Sequence, residues 1–138
     1  MTTSRQAREV AERRDFLAGI ITTAVEGGIG YWSLAQDYRW FFPTIDGGTA
    51  VPGENGTANA HVTLHPNVDE ESDFEPVTIT VEKIEEALGK IRREQVQLNG
   101  TLRRLIYRGD ATNEGGDIDA GAADAIVQIA AFGEVVYG

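Results

Sequence analysis

His61 and His65 stand four residues apart, the spacing at which a helix offers two imidazoles to one metal ion. On a strand the same pair lies about 13 Å apart, because each residue advances ~3.3 Å. Pro66 and the β-branched Val62 and Thr63 favour the strand, so no metal site is expected. Residues 110–121 begin like a calcium loop, with Asp110, Thr112 and Glu114 and with Gly115 at the sixth position. The twelfth position holds Gly121 where a bidentate glutamate is required, and the match fails. Gly28 and Gly30 lack the third glycine of a dinucleotide fingerprint and follow a helical pattern instead of a strand. Ser4, Ser33 and Ser72 are the only serines, and none sits in a nucleophile elbow. The chain has no cysteine, which removes disulfides, thiolate metal sites and thiol nucleophiles together. No catalytic residue, metal or cofactor is assigned on these grounds.

A different set gathers polar groups beside aromatic ones. Glu26 and Glu134 adjoin glycines at the ends of apolar segments, and Asp124 and Gln128 are four apart on one helical stretch. With Tyr31, Trp32 and Tyr137 they make a candidate polar pocket with aromatic walls: Glu26, Tyr31, Trp32, Asp124, Gln128 and Glu134. The plainer alternative is that these groups satisfy backbone polar atoms at the ends of elements.

The elements that position them follow from periodicity. Val10, Leu17, Ile20, Ile21, Ala24 and Val25 recur at helical spacing over 4–25, and Gly27 and Gly28 end that helix. Gly19 lies inside the pattern, where it weakens the helix or permits close packing. Six of the eleven aromatics fall between Tyr31 and Phe42, as core or pocket wall, and strands are expected over 29–34 and 37–42. Residues 46–59, glycine-rich with Pro52, read as a loop. Strands are expected over 60–64 and 77–80. Thr80 caps a helix over 81–93, and a second runs over 96–107, either bent from the first or turned back on it. Residues 109–116 form a loop. Asp119 caps a helix over 120–132 that Gly133 stops, and 134–137 is a candidate final strand. The expectation is one α+β domain over 1–138 with three or four helices and a small, mainly antiparallel sheet. Residues 1–8 are expected to fray, and 46–59 and 67–75 to be mobile loops.

The net charge of −10 is unevenly spread. Residues 40–82 hold eight acids and no lysine or arginine, 83–108 hold seven bases against three acids, and 109–138 hold six acids and no base. Five of the acids, Asp69, Glu70, Glu71, Asp73 and Glu75, crowd into seven residues. A negative field opposes direct binding to nucleic acid or an anionic membrane and favours a basic partner. The bases Lys90, Arg92, Arg93, Arg103, Arg104 and Arg108 can contact phosphates, but neutralising the 69–75 loop, within the chain or across a dimer, is the more economical use. No apolar run approaches the ~18 residues of a membrane span. The first fourteen residues are polar and arginine-rich, without the apolar core of a signal peptide, so a cytoplasmic protein is expected.

Two segments carry a resemblance: Thr23-Ala24-Val25-Glu26-Gly27-Gly28-Ile29-Gly30-Tyr31-Trp32 and Asp124-Ala125-Ile126-Val127-Gln128-Ile129-Ala130-Ala131-Phe132-Gly133-Glu134-Val135-Val136-Tyr137-Gly138. With the strand-to-helix passage over 77–88, they resemble small proteins of bacteriophages and mobile elements, especially of actinobacteria. That group has no established activity, so the resemblance implies a genomic setting and no catalytic residues. The expected function is non-enzymatic binding of a host macromolecule, most simply a host protein, as an inhibitor, an anti-defence factor or a modulator. The acidic loop and the aromatic cluster are its candidate surfaces. A small-ligand or enzymatic domain built on the polar-aromatic pocket is the alternative. A further alternative is a virion-associated assembly component forming a homo-oligomer.

Overall fold

The computed structural model describes residues 4–39, 43–46, 49–52, 59–70 and 72–138, with the side chains of 4–8, 43–46 and 49–52 left aside. Its helices are α1 (Ser4–Gly27), α2 (Val81–Arg92), α3 (Gly100–Thr112) and α4 (Ala120–Phe132). Its strands are β1 (Ser33–Arg39), β2 (Pro43–Asp46), β3 (Thr49–Pro52), β4 (His61–Pro66) and β5 (Val77–Thr80). The fold is α+β, with four helices and an antiparallel sheet in the order β1-β4-β5. A separate two-stranded hairpin pairs β2 with β3.

The sheet has one buried face, set by alternation along its strands. Val62, Leu64 and Ile79 are almost wholly buried, while His61, Thr63 and Thr78 lie on the other side. Helix α4 packs against α1, α2 and β5, and it buries Ala122, Ala123, Ala125, Ile126, Val127 and Ile129. A helix apolar nearly all round belongs at the centre of a domain, and α4 occupies that place.

Caps fix most helix ends. The Ala122 amide donates to Asp119 Oδ1 at 2.8 Å, the Lys83 amide donates to Thr80 Oγ1 at 3.3 Å, and Gly133 closes α4 at φ 83°. Those three positions match the sequence expectation, and other boundaries do not. Residues 29–32 form turns, because the Trp32 and Ser33 amides both donate back to the Ile29 carbonyl. One strand, β1, therefore covers the described strand residues of the two expected over 29–34 and 37–42, with a register irregularity between Gln36 and Arg39 and left-handed Asp37. Trp40, Phe41 and Phe42 lie outside the described residues. Part of the 46–59 loop is strand, because β3 pairs with β2.

The third helix starts at Gly100, later than expected, since Asn99 caps it through a 2.8 Å bond from the Leu102 amide. It also runs on to Thr112, through the start of the expected 109–116 loop, before Asn113 closes it in the left-handed conformation. Glu94, at φ 55°, separates it from α2. Val10, assigned above to the apolar face of α1, is 46% exposed.

Candidate functional site

Four of the six candidate pocket residues meet. The Trp32 indole Nε1 donates to Asp124 Oδ1 at 2.7 Å, and the Tyr31 hydroxyl donates to Asp124 Oδ2 at 2.6 Å. One turn further along α4, Gln128 Nε2 donates to Asp124 Oδ1 and to the Tyr137 carbonyl, both at 2.9 Å. Gln128 Oε1 accepts from the backbone amides of Val136 and Tyr137, each at 2.7 Å. This fixes the orientation of the amide, since one end faces only donors and the other meets a carboxylate and a carbonyl.

Gln128 is wholly buried, and no described buried side-chain polar atom lacks a hydrogen-bond partner. The four residues bond to one another. They form a closed latch that holds residues 136–137 against α4 as a paired strand would. The expected final strand over 134–137 is absent for that reason: the backbone donors of Val136 and Tyr137 are spent on a side chain.

Aromatic packing completes the latch. The Tyr137 ring stacks on Trp32 at 5.4 Å between centroids and 10° between planes. Phe74 and Phe132 close on the same indole at 5.7 and 5.5 Å. Such pairs favour offset or edge contacts and add to the energy of burying the rings. Trp32 is therefore core, packed against rings that come from distant segments of the chain. Burial raises the Tyr31 hydroxyl to about 12, helped by its bond to Asp124 and by that group's charge. Glu26 and Glu134 are exposed and take no described part in these bonds. Glu26 ends on the solvent side of the last turn of α1, and Glu134 leaves α4 past the left-handed Gly133.

The acidic loop is tied to this latch. Ser72, 4% exposed, accepts from the Asn67 amide at 2.7 Å and donates to the Asn67 carbonyl at 3.1 Å. The Asp73 amide donates to the Tyr137 hydroxyl at 3.3 Å, and Asn67 Nδ2 donates to the Gly30 carbonyl at 3.2 Å. Asp69, Glu70, Asp73 and Glu75 are exposed, and Glu71 lies outside the described residues.

Among the described residues no ion pair reaches Asp69, Glu70, Asp73 or Glu75. The bases have other work. Arg103 donates to the Ile91 and Val96 carbonyls at 3.2 and 2.8 Å, securing the turn after α2. Lys83 donates to the Thr78 carbonyl at 2.6 Å, and Arg108 approaches Asp117 at 3.7 Å.

A second cluster carries no signal in the sequence. Arg13 of α1 pairs with Glu85 of α2 at 2.9 Å and with Asp110 of α3 at 2.6 Å, and Arg92 pairs with the same two acids at 3.2 and 2.8 Å. For Arg13, burial works to lower the pKa, but the hydrogen bonds and charges of Glu85 and Asp110 outweigh it and raise it overall. Asp110 is thus a helix-joining acid and not the start of a calcium loop. His61 and His65 both lie on β4, and His61 meets the Asn59 carbonyl at 2.9 Å and Asp37 at 3.4 Å. Among the described residues no group of three or more histidines and acids converges as metal ligands would, and no helix is long and apolar enough to cross a membrane.

No protein-family model, curated protein sequence or solved structure matches this chain.

Proposed function

We propose that this chain is a small acidic accessory protein of a bacteriophage or mobile element that acts without catalysis, by binding a basic surface on a host protein. The observation that carries this reading is the state of its acids. Asp124, a carboxylate placed among aromatic and amide groups, already accepts from three donors. Asp69, Glu70, Asp73 and Glu75 face solvent on a loop tethered to the core, and none forms an ion pair with a described cation. Exposed apolar groups adjoin them: Val68 on the loop itself, Tyr31 beside the bonded Gly30, and Val136 beside Tyr137. An apolar patch with an acidic border suits a protein surface of opposite charge, and the border charges speed encounter and select the partner.

The test compares the wild-type chain with the fourfold variant D69K/E70K/E71K/D73K, each used to capture partners from a host lysate and examined by native mass spectrometry. The expected result is an added protein mass on the wild type that disappears with the variant. A small-molecule mass instead, the bare subunit or its multiples, or equal capture by both chains would overturn the reading.

A further inference from the structure

The connection from β4 to β5 spans residues 67–76, long for two paired antiparallel strands. Part of its shape is its own. The Ser72 hydroxyl bonds to both the amide and the carbonyl of Asn67, and the Ser72 amide donates to that carbonyl at 3.3 Å. Those bonds join the two sides of the loop, but they do not fix where it lies.

The ties that place it on the body of the protein converge on the latch. The Phe74 ring packs against Trp32, Phe132 and Tyr137, at 5.7, 5.2 and 6.4 Å between centroids. Asn67 Nδ2 donates to the carbonyl of Gly30, whose neighbour Tyr31 is bonded to Asp124. The Tyr137 hydroxyl accepts from the Asp73 amide at 3.3 Å and donates to the Asp73 carbonyl at 3.4 Å. A phenylalanine at 137 would keep the stack on Trp32, so the ring serves the core and the hydroxyl serves the loop.

The other side of the latch is lightly held. Val135 and Val136 are exposed, so residues 134–138 stay in place through the Gln128 bonds, the Tyr31 bond to the Tyr137 carbonyl and the Tyr137 ring. Left-handed Gly133 turns the chain at their base. A segment with so little buried apolar surface opens well below the free energy of global unfolding.

We infer that Gln128 and Tyr137 form a positioning device for the acidic loop. Gln128 clamps residues 136–137 to α4, the Tyr137 hydroxyl pins Asp73, and residues 72–74 hold their place fully only while the latch is shut. The pin reads the loop's backbone and not its charges. The coupling is therefore indifferent to salt, whereas an acidic surface meeting a basic partner is screened by it. The purpose of the device rests on the reading of this protein as a binder of basic protein surfaces; the coupling itself needs no partner.

The test is amide exchange on the full 15N-labelled chain at low and at high salt. Tyr137→Phe keeps the ring and the Gln128 bonds. It should speed exchange at Asp73 about fivefold, the worth of about one hydrogen bond, and leave the amides of 136 and 137 unchanged. Asn67, bonded within the loop, should keep its protection. Gln128→Leu should speed exchange at 136, 137 and Asp73, the last at least as much as Tyr137→Phe does. Both effects should persist at high salt. Tyr137→Phe, with all five loop acids in place, should also capture several-fold less partner than the wild type.

An Asp73 amide unmoved by Gln128→Leu would show that the loop is placed without the latch and would overturn the inference. If that variant does not fold, an Asp73 amide unmoved by Tyr137→Phe overturns it alone. Equal capture by the wild type and Tyr137→Phe, with Asp73 exchange raised, would overturn the role of the device in binding. No captured protein on the wild type removes the binding reading instead, and exchange still decides the coupling.

Discussion

The latch at Gln128 and the cluster at Arg13 do the same job with different chemistry. Each joins segments far apart in the chain, and each does so around a carboxylate. Asp124 is held by an indole, a phenol and an amide, all neutral. Asp110 is held by two guanidinium groups that also share Glu85. The neutral latch binds a terminal segment that water can reach, since Val135 and Val136 are 39% and 53% exposed. The ionic cluster joins three helices with Asp110 almost out of solvent, its side chain 6% exposed. Breaking the first should release one segment, and breaking the second should weaken the whole domain.

Asp110→Ala breaks the contrast on the ionic side and has the largest expected effect. It removes one of the two acids that Arg13 and Arg92 share and leaves Glu85 against both guanidinium groups. Loss of one partner of a buried pair costs roughly 3–5 kcal/mol, and about 3 is expected here because Arg92 is half exposed. Urea denaturation should show a lower midpoint with the slope unchanged.

Gln128→Leu is next, with an expected loss of about 2 kcal/mol concentrated on the 133–138 segment, since each net hydrogen bond contributes about 1 kcal/mol and water can replace part of the set. The midpoint of global unfolding should move less than for Asp110→Ala.

Tyr31→Phe is the smallest change and sharpens the comparison through pH. The Tyr31 hydroxyl is raised in the folded state from its usual 10 to about 12, so the folded chain holds that proton more tightly than the unfolded one. Its contribution is complete below pH 10 and is lost as pH rises toward 12. The wild type should therefore lose stability across that window, and the variant should lack that part of the slope. Thermal melts between pH 9 and 12 would measure it.

The legible and illegible parts of the molecule divide along sequence distance. Local signals carried through: Thr80 and Asp119 as caps, Gly133 as a stop, and the alternation that puts Val62 and Leu64 inside. Asp124 and Gln128 were legible as neighbours because four residues bring them to one helical face. Their use was not legible, since it depends on residues 136–137 folding back past Gly133 and on Trp32 arriving from the other end of the chain. The turn at 29–32 also escaped the sequence reading, because apolar residues around Gly30 fit a strand as readily as a turn. Arg13, Glu85 and Asp110 offered nothing periodic: 72 and 97 positions separate Arg13 from its partners, and charges at such distances carry no local pattern.

The residues best suited to chemistry, Asp124 and Gln128, are closed on one another, and the outer acidic surface is where we propose that binding occurs. Hydrogen–deuterium exchange at the Val136 and Tyr137 amides, in the wild type and in Gln128→Leu, tests it most directly. Both amides should be protected in the wild type, and the variant should lose about 30-fold in protection there while α4 keeps its own. Rapid exchange at both amides already in the wild type would mean that the latch is open in solution and that Asp124 and Gln128 are free for a ligand, contradicting the account.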